Sequence, residues 1–207
     1  MINVIGLGPG NTDYITKLGE KLIQNSDVVI GGKRNLESIV DFEGEKIEIS
    51  SNLKEIVEYI NNNKHKQISV IASGDPLIYG IGRYLSKNID KEDLNIVSGI
   101  SSLQYIFSKV HIDMNDLYIT SSHGKTPDFD YVLSHKKVCM VTDKIIGPKE
   151  ICKQILDRNL EKTIVVGENL SYDNERITIG SPEDILKLED FDMCVVVLLD
   201  KNYNTVI

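Results

Sequence analysis

The sequence predicts an α/β protein, because short runs rich in β-branched residues alternate along the chain with segments of helical periodicity. Such alternation is typical of βαβ units whose strands form a parallel sheet. The length of 207 residues is enough for one large domain or two small ones. Apolar residues make up 41% and charged residues 26% of the chain, as in ordinary globular proteins.

The first half of the chain contains short apolar runs, each followed or separated by a segment of helical periodicity. Strands are predicted at Ile2–Gly6, Val28–Gly31, Lys46–Ile49, Ile68–Ser73 and Asn95–Val97. Helices are predicted at Ile15–Gln24, Leu36–Asp41, Leu53–Asn61, Ile78–Ser86 and Ser102–Lys109. This succession makes one complete α/β unit.

A second unit is predicted to begin near Asn115. Its strands are predicted at Leu117–Thr120, Lys137–Val141, Thr163–Val166, Arg176–Ile179 and Cys194–Leu199. Only one short helix, Pro182–Leu188, is predicted among the last three strands, so we expect a mixed sheet. The polar stretch His111–Asp116 interrupts the rhythm of the chain and predicts a boundary between domains of residues 1–112 and 113–207.

Charge and composition exclude several classes of protein. The net charge of −8, with the basic residues dispersed, argues against a nucleic-acid binder, which needs a basic face. The absence of a basic leader and of a long apolar segment predicts a cytoplasmic protein without a membrane partner. Cys139, Cys152 and Cys194 lie far apart, which predicts buried thiols and neither a disulfide framework nor a metal site.

A glycine-rich loop follows the first predicted strand, with Gly6, Gly8 and Gly10. It differs from the dinucleotide fingerprint, whose third glycine would fall at Asn11, and Pro9 removes a backbone donor. A nicotinamide cofactor is therefore not expected. The loop is either a tight turn or a place where the backbone passes close to a flat ligand.

A second loop, Gly74–Asp75–Pro76, stands at the carboxyl end of a predicted strand and is followed by Gly80 and Gly82. Ligands of open parallel sheets bind at such strand ends. Asp75 has two interpretations. It either caps the next helix, or it supplies a carboxylate or a backbone cradle that faces a cationic cofactor.

Together these motifs resemble those of the tetrapyrrole methylase family, in which a strand leads into GxGPG and is followed by a GDP loop with YGxG and by a G-(I/V)-S-S turn. The matching segments here are Gly6–Gly10, Gly74–Pro76, Tyr79–Gly82 and Gly99–Ser102. The resemblance extends over essentially the whole chain, because the second half adds an apolar strand ending in Thr142 and the segment GENLSYDNERI.

Two further elements resemble the CbiE branch of that family, which methylates C-5 of precorrin-7 or cobalt-precorrin-7 in cobalamin biosynthesis. The segment Gly31–Arg34 resembles a GG-(K/R)-R element, and Ser121–Lys125 resembles S-x-H-G-R with Lys125 in place of Arg. Lysine keeps the charge but lacks the bidentate fork of arginine. The alternatives are a family member with another acceptor, such as uroporphyrinogen or the diphthamide precursor, and a non-catalytic subunit that binds a tetrapyrrole or adenosyl ligand.

The resemblance implies a fold of two α/β domains with the cofactor cleft between them. It implies S-adenosylmethionine as methyl donor and S-adenosylhomocysteine as product. The residues implied in cofactor binding are Pro9, Gly74, Asp75, Ile78, Ser101, Ser102, Thr142 and Leu170. Candidates for removing the proton that leaves after methylation are His123 and Glu168, and candidates for binding substrate carboxylates are Lys33, Arg34 and Lys125.

Each of these charged candidates also has a simpler interpretation. Most lysine and arginine side chains are solvated without a function, and a loop histidine such as His123 often bonds only to backbone. The resemblance further implies a tetrapyrrole (precorrin) substrate, a homodimer, and a separate subunit for methylation at C-15 with decarboxylation.

Overall fold

The computed structural model describes residues 1–201 and divides the chain into two compact units, Met1–Ser101 and the residues from Ser102 onward. In the first unit, strands and helices alternate in the predicted order. Its elements are β1 (Ile2–Gly6), α1 (Lys17–Gln24), β2 (Val28–Gly31), α2 (Lys33–Glu37), β3 (Glu45–Glu48), α3 (Leu53–Asn62), β4 (Ile68–Ala72), α4 (Gly82–Asn88) and β5 (Leu94–Val97). The strands form one parallel sheet in the order β3-β2-β4-β1-β5.

Helices cover both faces of this parallel sheet. On one face, Val4 and Val70 belong to a buried cluster with Ile60 of α3 and with α4. On the other face, Ile5 and Ile71 pack in a cluster that includes residues of α1 and α2. Since both faces are buried, the central strands are continuous apolar runs rather than alternating ones.

One row of side chains across this sheet is polar although it is wholly or partly buried. Asn3 lies beside Ser69 on one neighbouring strand and beside Asn95 on the other. The Asn95 Nδ2 donates to Asn3 Oδ1 over 2.8 Å, and the Ser69 and Ser26 hydroxyls are 2.7 Å apart. A shift of register would separate these partners inside the core, so the row favours the observed pairing of β4, β1 and β5.

The second unit contains α5 (Ser102–Lys109), β6 (Tyr118–Ser121), α6 (Phe129–Leu133), β7 (Lys137–Val141), α7 (Pro148–Leu156), β8 (Lys162–Glu168), β9 (Arg176–Gly180), α8 (Pro182–Leu186) and β10 (Cys194–Asp200). Its sheet has the order β6-β7-β10-β8-β9. Only β6 and β7 pair in parallel, whereas the other neighbours are antiparallel. The sheet is therefore mixed, as the sequence predicts.

The structure differs from the sequence-based assignment at several helices. α2 begins directly after β2, and α4 begins only at Gly82 because residues 75–80 form a loop. α6 and α7 were not predicted. α6 has only five residues, and α7 begins with Pro148 at its first position, a recognised start signal.

The division between the units also differs from the boundary expected after residue 112. α5 belongs to the second unit, where its Ile106 side chain lies over Gly167 of β8. The three cysteines are buried thiols, as expected, and burial raises the pKa of Cys194 to about 11. Within residues 1–201, no helix is both long and apolar enough to cross a membrane.

The buried polar row gives a testable prediction. Asn95→Val should lower the free energy of unfolding by about 1–3 kcal/mol, because the buried Asn3 carbonyl loses its donor. The double variant Asn3→Val/Asn95→Val should recover much of that loss, since no polar group is left without a partner. Urea unfolding of these two variants and of Asn3→Val checks this. A double variant that loses as much as Asn95→Val, or as much as both single variants together, would contradict it.

Candidate functional site

Three loops meet at the carboxyl edge of the first sheet, where β1, β4 and β5 end. β1 lies between β4 and β5, so the segments that leave these strands are neighbours. The backbones of Gly8 and Gly74 pair with each other, with N–H···O distances of 3.3 and 2.7 Å. The GxGPG and GDP motifs are thus joined by main-chain hydrogen bonds.

Glycine is required where these loops touch. A Cβ atom on Gly6 would lie 2.6 Å from the Gly99 nitrogen, and one on Gly99 would lie 2.7 Å from the Gly6 carbonyl carbon. Both would also collide with the Gly74 carbonyl oxygen. Gly8 and Gly74 have φ values of +93° and +64°, which side chains disfavour. The edge is therefore built largely of backbone segments that pack directly against one another.

Asp75 connects two of these loops through its side chain. Its Oδ1 accepts from the Leu77 N–H over 2.8 Å, which closes a local turn. Its Oδ2 accepts from the Gly99 N–H over 3.2 Å, which joins the loop after β4 to the loop after β5. Because α4 begins only at Gly82, Asp75 does not cap that helix, and the helix-cap interpretation is wrong.

The segment after Asp75 wraps around the carbonyl of the buried Pro76. Gly82 donates its N–H to that carbonyl over 2.9 Å. A Cβ atom on either Gly80 or Gly82 would approach the same oxygen to 2.6 Å, so the YGxG motif fits this turn only with glycine. Tyr79 has a φ of +53° and its side chain is exposed.

The first unit brings five of the predicted cofactor residues into these loops. Pro9 follows β1, Gly74, Asp75 and Ile78 follow β4, and Ser101 follows β5. Pro9 and Ser101 are buried, whereas Asp75 and Ile78 are half-buried. Ser102 is the first residue of α5 and belongs to the second unit.

The basic residues of the first unit that are predicted to bind substrate carboxylates lie at the same edge. Lys33 and Arg34 form the first turn of α2, directly after β2, and their side chains are exposed. β2 is the neighbour of β4 in the sheet. The Ser73 hydroxyl donates to Asn35 Oδ1 over 3.0 Å and so links α2 to the residue before Gly74.

In the second unit, the remaining candidates also gather at one edge of their sheet. β6, β7 and β8 run in the same direction, and β10 runs against them. The Thr142 hydroxyl, after β7, donates to the Cys194 carbonyl over 2.9 Å. Leu170, after β8, is buried, with its side chain over Gly167.

His123 and Lys125 lie in a tight turn after β6, and both side chains are exposed. The Ser121 hydroxyl accepts from the His123 N–H over 3.1 Å, and the Lys125 N–H donates to the Ser122 carbonyl over 3.1 Å. Gly124 between them has a φ of +69°. The turn therefore presents an imidazole and an ammonium group on a defined backbone.

Glu168 is buried and forms an ion pair with Arg176. The side chain is buried, and the Arg176 guanidinium binds it with two hydrogen bonds of 2.6 and 2.9 Å across the β8–β9 pair. The Asp192 N–H donates to the same carboxylate over 3.1 Å. Such a bidentate pair holds both oxygens, so the geometry favours Glu168 as a link between strands rather than as a proton acceptor.

The glycine contact gives a prediction with a matched control. Gly99→Ala should lower the free energy of unfolding by about 1–3 kcal/mol, because the new methyl group meets the Gly6 backbone. Gly32→Ala should change it by less than about 1 kcal/mol, since a Cβ there meets nothing within 4 Å and its φ is −63°. Thermal unfolding compares the two. Equal losses would show that backbone contact does not explain Gly99.

Comparison with known proteins identifies the family. The sequence profile described as Tetrapyrrole (Corrin/Porphyrin) Methylases matches residues 1–186. The cobalt-precorrin-7 C(5)-methyltransferase of Salmonella typhimurium is 38% identical over 202 residues, which cover 97% of this chain and 100% of that protein.

Solved structures share the fold. A cobalt precorrin-4 methyltransferase superposes with a TM-score of 0.81 at 19% identity, covering 96% of this chain and 94% of that one. A Thermus thermophilus uroporphyrin-III C-methyl transferase complexed with S-adenyl homocysteine gives 0.77 at 19% identity, with 96% of each chain covered. With three motifs in adjoining loops, a matching profile and a shared fold, the chain belongs to the tetrapyrrole (corrin/porphyrin) methylase family.

Proposed function

We propose that the protein is an S-adenosylmethionine-dependent C-methyltransferase that acts on C-5 of cobalt-precorrin-7 in cobalamin biosynthesis. The likeness to the Salmonella typhimurium enzyme over that enzyme's whole length carries this proposal. The Gly31–Arg34 and Ser121–Lys125 elements support it, because each stands at the edge of its sheet where the family motifs lie.

The proposed cofactor fits the loops of the first unit. S-adenosylmethionine supplies a methyl group on a positively charged sulfur when it is bound. Gly8 and Gly74 carry no side chain, and Gly74 is half-buried, which suits close contact of its main chain with an adenosyl group. We assign cofactor binding to Pro9, Gly74, Asp75, Ile78 and Ser101, with Ser102, Thr142 and Leu170 as the second unit's candidates.

The proposed reaction requires alignment more than acid–base chemistry. Holding two reactants in line can lower a barrier by about 7–11 kcal/mol, so a site made mainly of backbone is chemically adequate. Lys33, Arg34 and Lys125 bind the carboxylates of the tetrapyrrole. His123 is the candidate for accepting the proton released from the methylated ring, since the oxygens of Glu168 are held by Arg176.

The substrate assignment is tested by incubating the protein with labelled S-adenosylmethionine and a panel of tetrapyrroles. We expect cobalt-precorrin-7 to gain one labelled methyl group at C-5, seen by mass spectrometry and nuclear magnetic resonance of the product. Metal-free precorrin-7 and uroporphyrinogen are the comparison substrates. Turnover of uroporphyrinogen alone would contradict the assignment, and tight cofactor binding without turnover of any tetrapyrrole would indicate a binding subunit.

A second prediction concerns Asp75. Asp75→Asn keeps one acceptor for the Leu77 N–H but replaces the acceptor for the Gly99 N–H with a donor. The Kd for S-adenosylhomocysteine should therefore rise. We expect binding to weaken by about 1 kcal/mol or more, as for a lost hydrogen bond to a charged group. Calorimetry measures this change.

The matched control is Asp27→Asn, at the opposite edge of the same sheet. Asp27 also joins two segments through its side chain, since it accepts from the Gln67 N–H over 2.8 Å. Asp27→Asn should leave the Kd unchanged. If Asp75→Asn lowers the unfolding temperature but binds the ligand normally, Asp75 has a structural role only. The expected homodimer and the separate C-15 enzyme stay predictions.

A further inference from the structure

The loop after β7, residues 142–147, is fastened to the turn that carries His123 and Lys125. The Asp143 Oδ2 accepts from the Gly124 N–H over 3.0 Å. The Ser122 hydroxyl donates to the Ile146 carbonyl over 2.8 Å, and the Ser122 N–H donates to the Val141 carbonyl over 2.9 Å. The loops that follow two neighbouring parallel strands, β6 and β7, are thus joined side by side.

Asp143 also holds its own loop in shape. Its Oδ1 accepts from the N–H groups of Ile145 and Ile146 over 2.9 and 2.8 Å. This local turn points Ile146 into the core and leaves Ile145 exposed. The backbone N–H groups of Ile146 and Gly124, together with the nearby His123, hold the pKa of the Asp143 carboxyl below its usual range. The acceptor therefore stays ionised at neutral pH.

The Gly124 backbone needs such a contact to have a defined position. A Cβ atom at Gly124 would meet nothing within 4 Å, and the side chains of His123 and Lys125 on either side are exposed. Glycine has the widest choice of backbone conformations, so a turn centred on it is fixed by its hydrogen bonds rather than by packing. The Gly124 N–H bonds to Asp143 in the neighbouring loop.

Building on the proposed function, we propose that Asp143 is a positioning residue for substrate binding. Its carboxylate fixes the Gly124 backbone and so places the Lys125 ammonium group for a carboxylate of the tetrapyrrole. Asp143 acts through Lys125 and not by touching the reacting atoms. The motifs quoted above do not include this residue, and the sequence alone marks it only as a polar residue.

Asparagine is the informative substitution. In Asp143→Asn, the amide oxygen can still accept from Ile145 and Ile146, whereas the amide nitrogen faces the Gly124 N–H and cannot accept from it. The local turn and the bond from Ser122 to Ile146 are preserved, and only the bond from Gly124 to Asp143 is lost. The matched control is Asp184→Asn, which also removes one negative charge. Asp184 belongs to the capping box of α8, at the edge of the second sheet opposite to the loops after β6 and β7.

The experiment measures steady-state kinetics with cobalt-precorrin-7 and S-adenosylmethionine. For Asp143→Asn we expect KM for the tetrapyrrole to rise by about three- to tenfold, as for one lost hydrogen bond, with kcat and the KM for S-adenosylmethionine little changed. The double variant Asp143→Asn/Lys125→Ala should be no worse than Lys125→Ala alone, because both changes remove the same interaction. Asp184→Asn should match the wild type.

Amide hydrogen exchange supplies a readout that does not depend on activity. Exchange at Gly124 should be faster in Asp143→Asn than in the wild type and in Asp184→Asn. An active wild type combined with an unchanged KM in Asp143→Asn overturns the positioning role, as do additive effects of the Asp143 and Lys125 substitutions. A wild-type protein that methylates no tetrapyrrole overturns the proposed function itself, and the assigned role of Asp143 with it.

Discussion

The contact among the backbones of Gly6, Gly74 and Gly99 is the constraint on which the first unit's functional edge depends. Three chain segments leave adjacent parallel strands and touch without side chains between them. This closeness allows the main-chain pairing of Gly8 with Gly74 and brings Gly99 within reach of Asp75. A larger residue at Gly6 or Gly99 would separate the segments and break the contacts that join the three loops.

The two units use a similar device to fix these loops. Asp75 and Asp143 each use one carboxylate oxygen for a local turn and the other for the N–H of a glycine in another loop. The two glycines differ in their surroundings. Gly99 is crowded by the backbones of Gly6 and Gly74, whereas Gly124 has open space beside it. A carboxylate can accept on both sides at once, which a neutral amide cannot do. The loops that carry the proposed binding residues are thus held in place by these two carboxylates.

Much of the fold could be predicted from the sequence because its strongest signals are local. The runs of β1, β2, β4, β7 and β10 are apolar and contain several β-branched residues, and their predicted positions agree closely with the structure. α6 was missed because a helix of five residues shows no periodicity, although Asp128 caps it. The start of α4 was misplaced because the loop around Pro76 contains apolar residues that imitate a helical pattern.

The site could be predicted only where a motif marks it. The glycine loops, Lys33, Arg34 and His123 stand out in the sequence, and the structure places them at the edges of their own sheets. Glu168 was proposed as a proton acceptor because nothing in the sequence reveals its bidentate pairing with Arg176, a residue on the next strand. Asp143 was not singled out for the same reason, since its role depends on a hydrogen bond between two separate loops.

The most direct test of the central claim, that the joined glycine loops hold the cofactor, is amide hydrogen exchange with and without saturating S-adenosylhomocysteine. The account predicts slower exchange in residues 6–10, 74–80 and 99–101 when the ligand is bound, and unchanged exchange at the opposite edge of the first sheet, around Asp27 and Gln67. Saturable binding without protection in those three loops would contradict it.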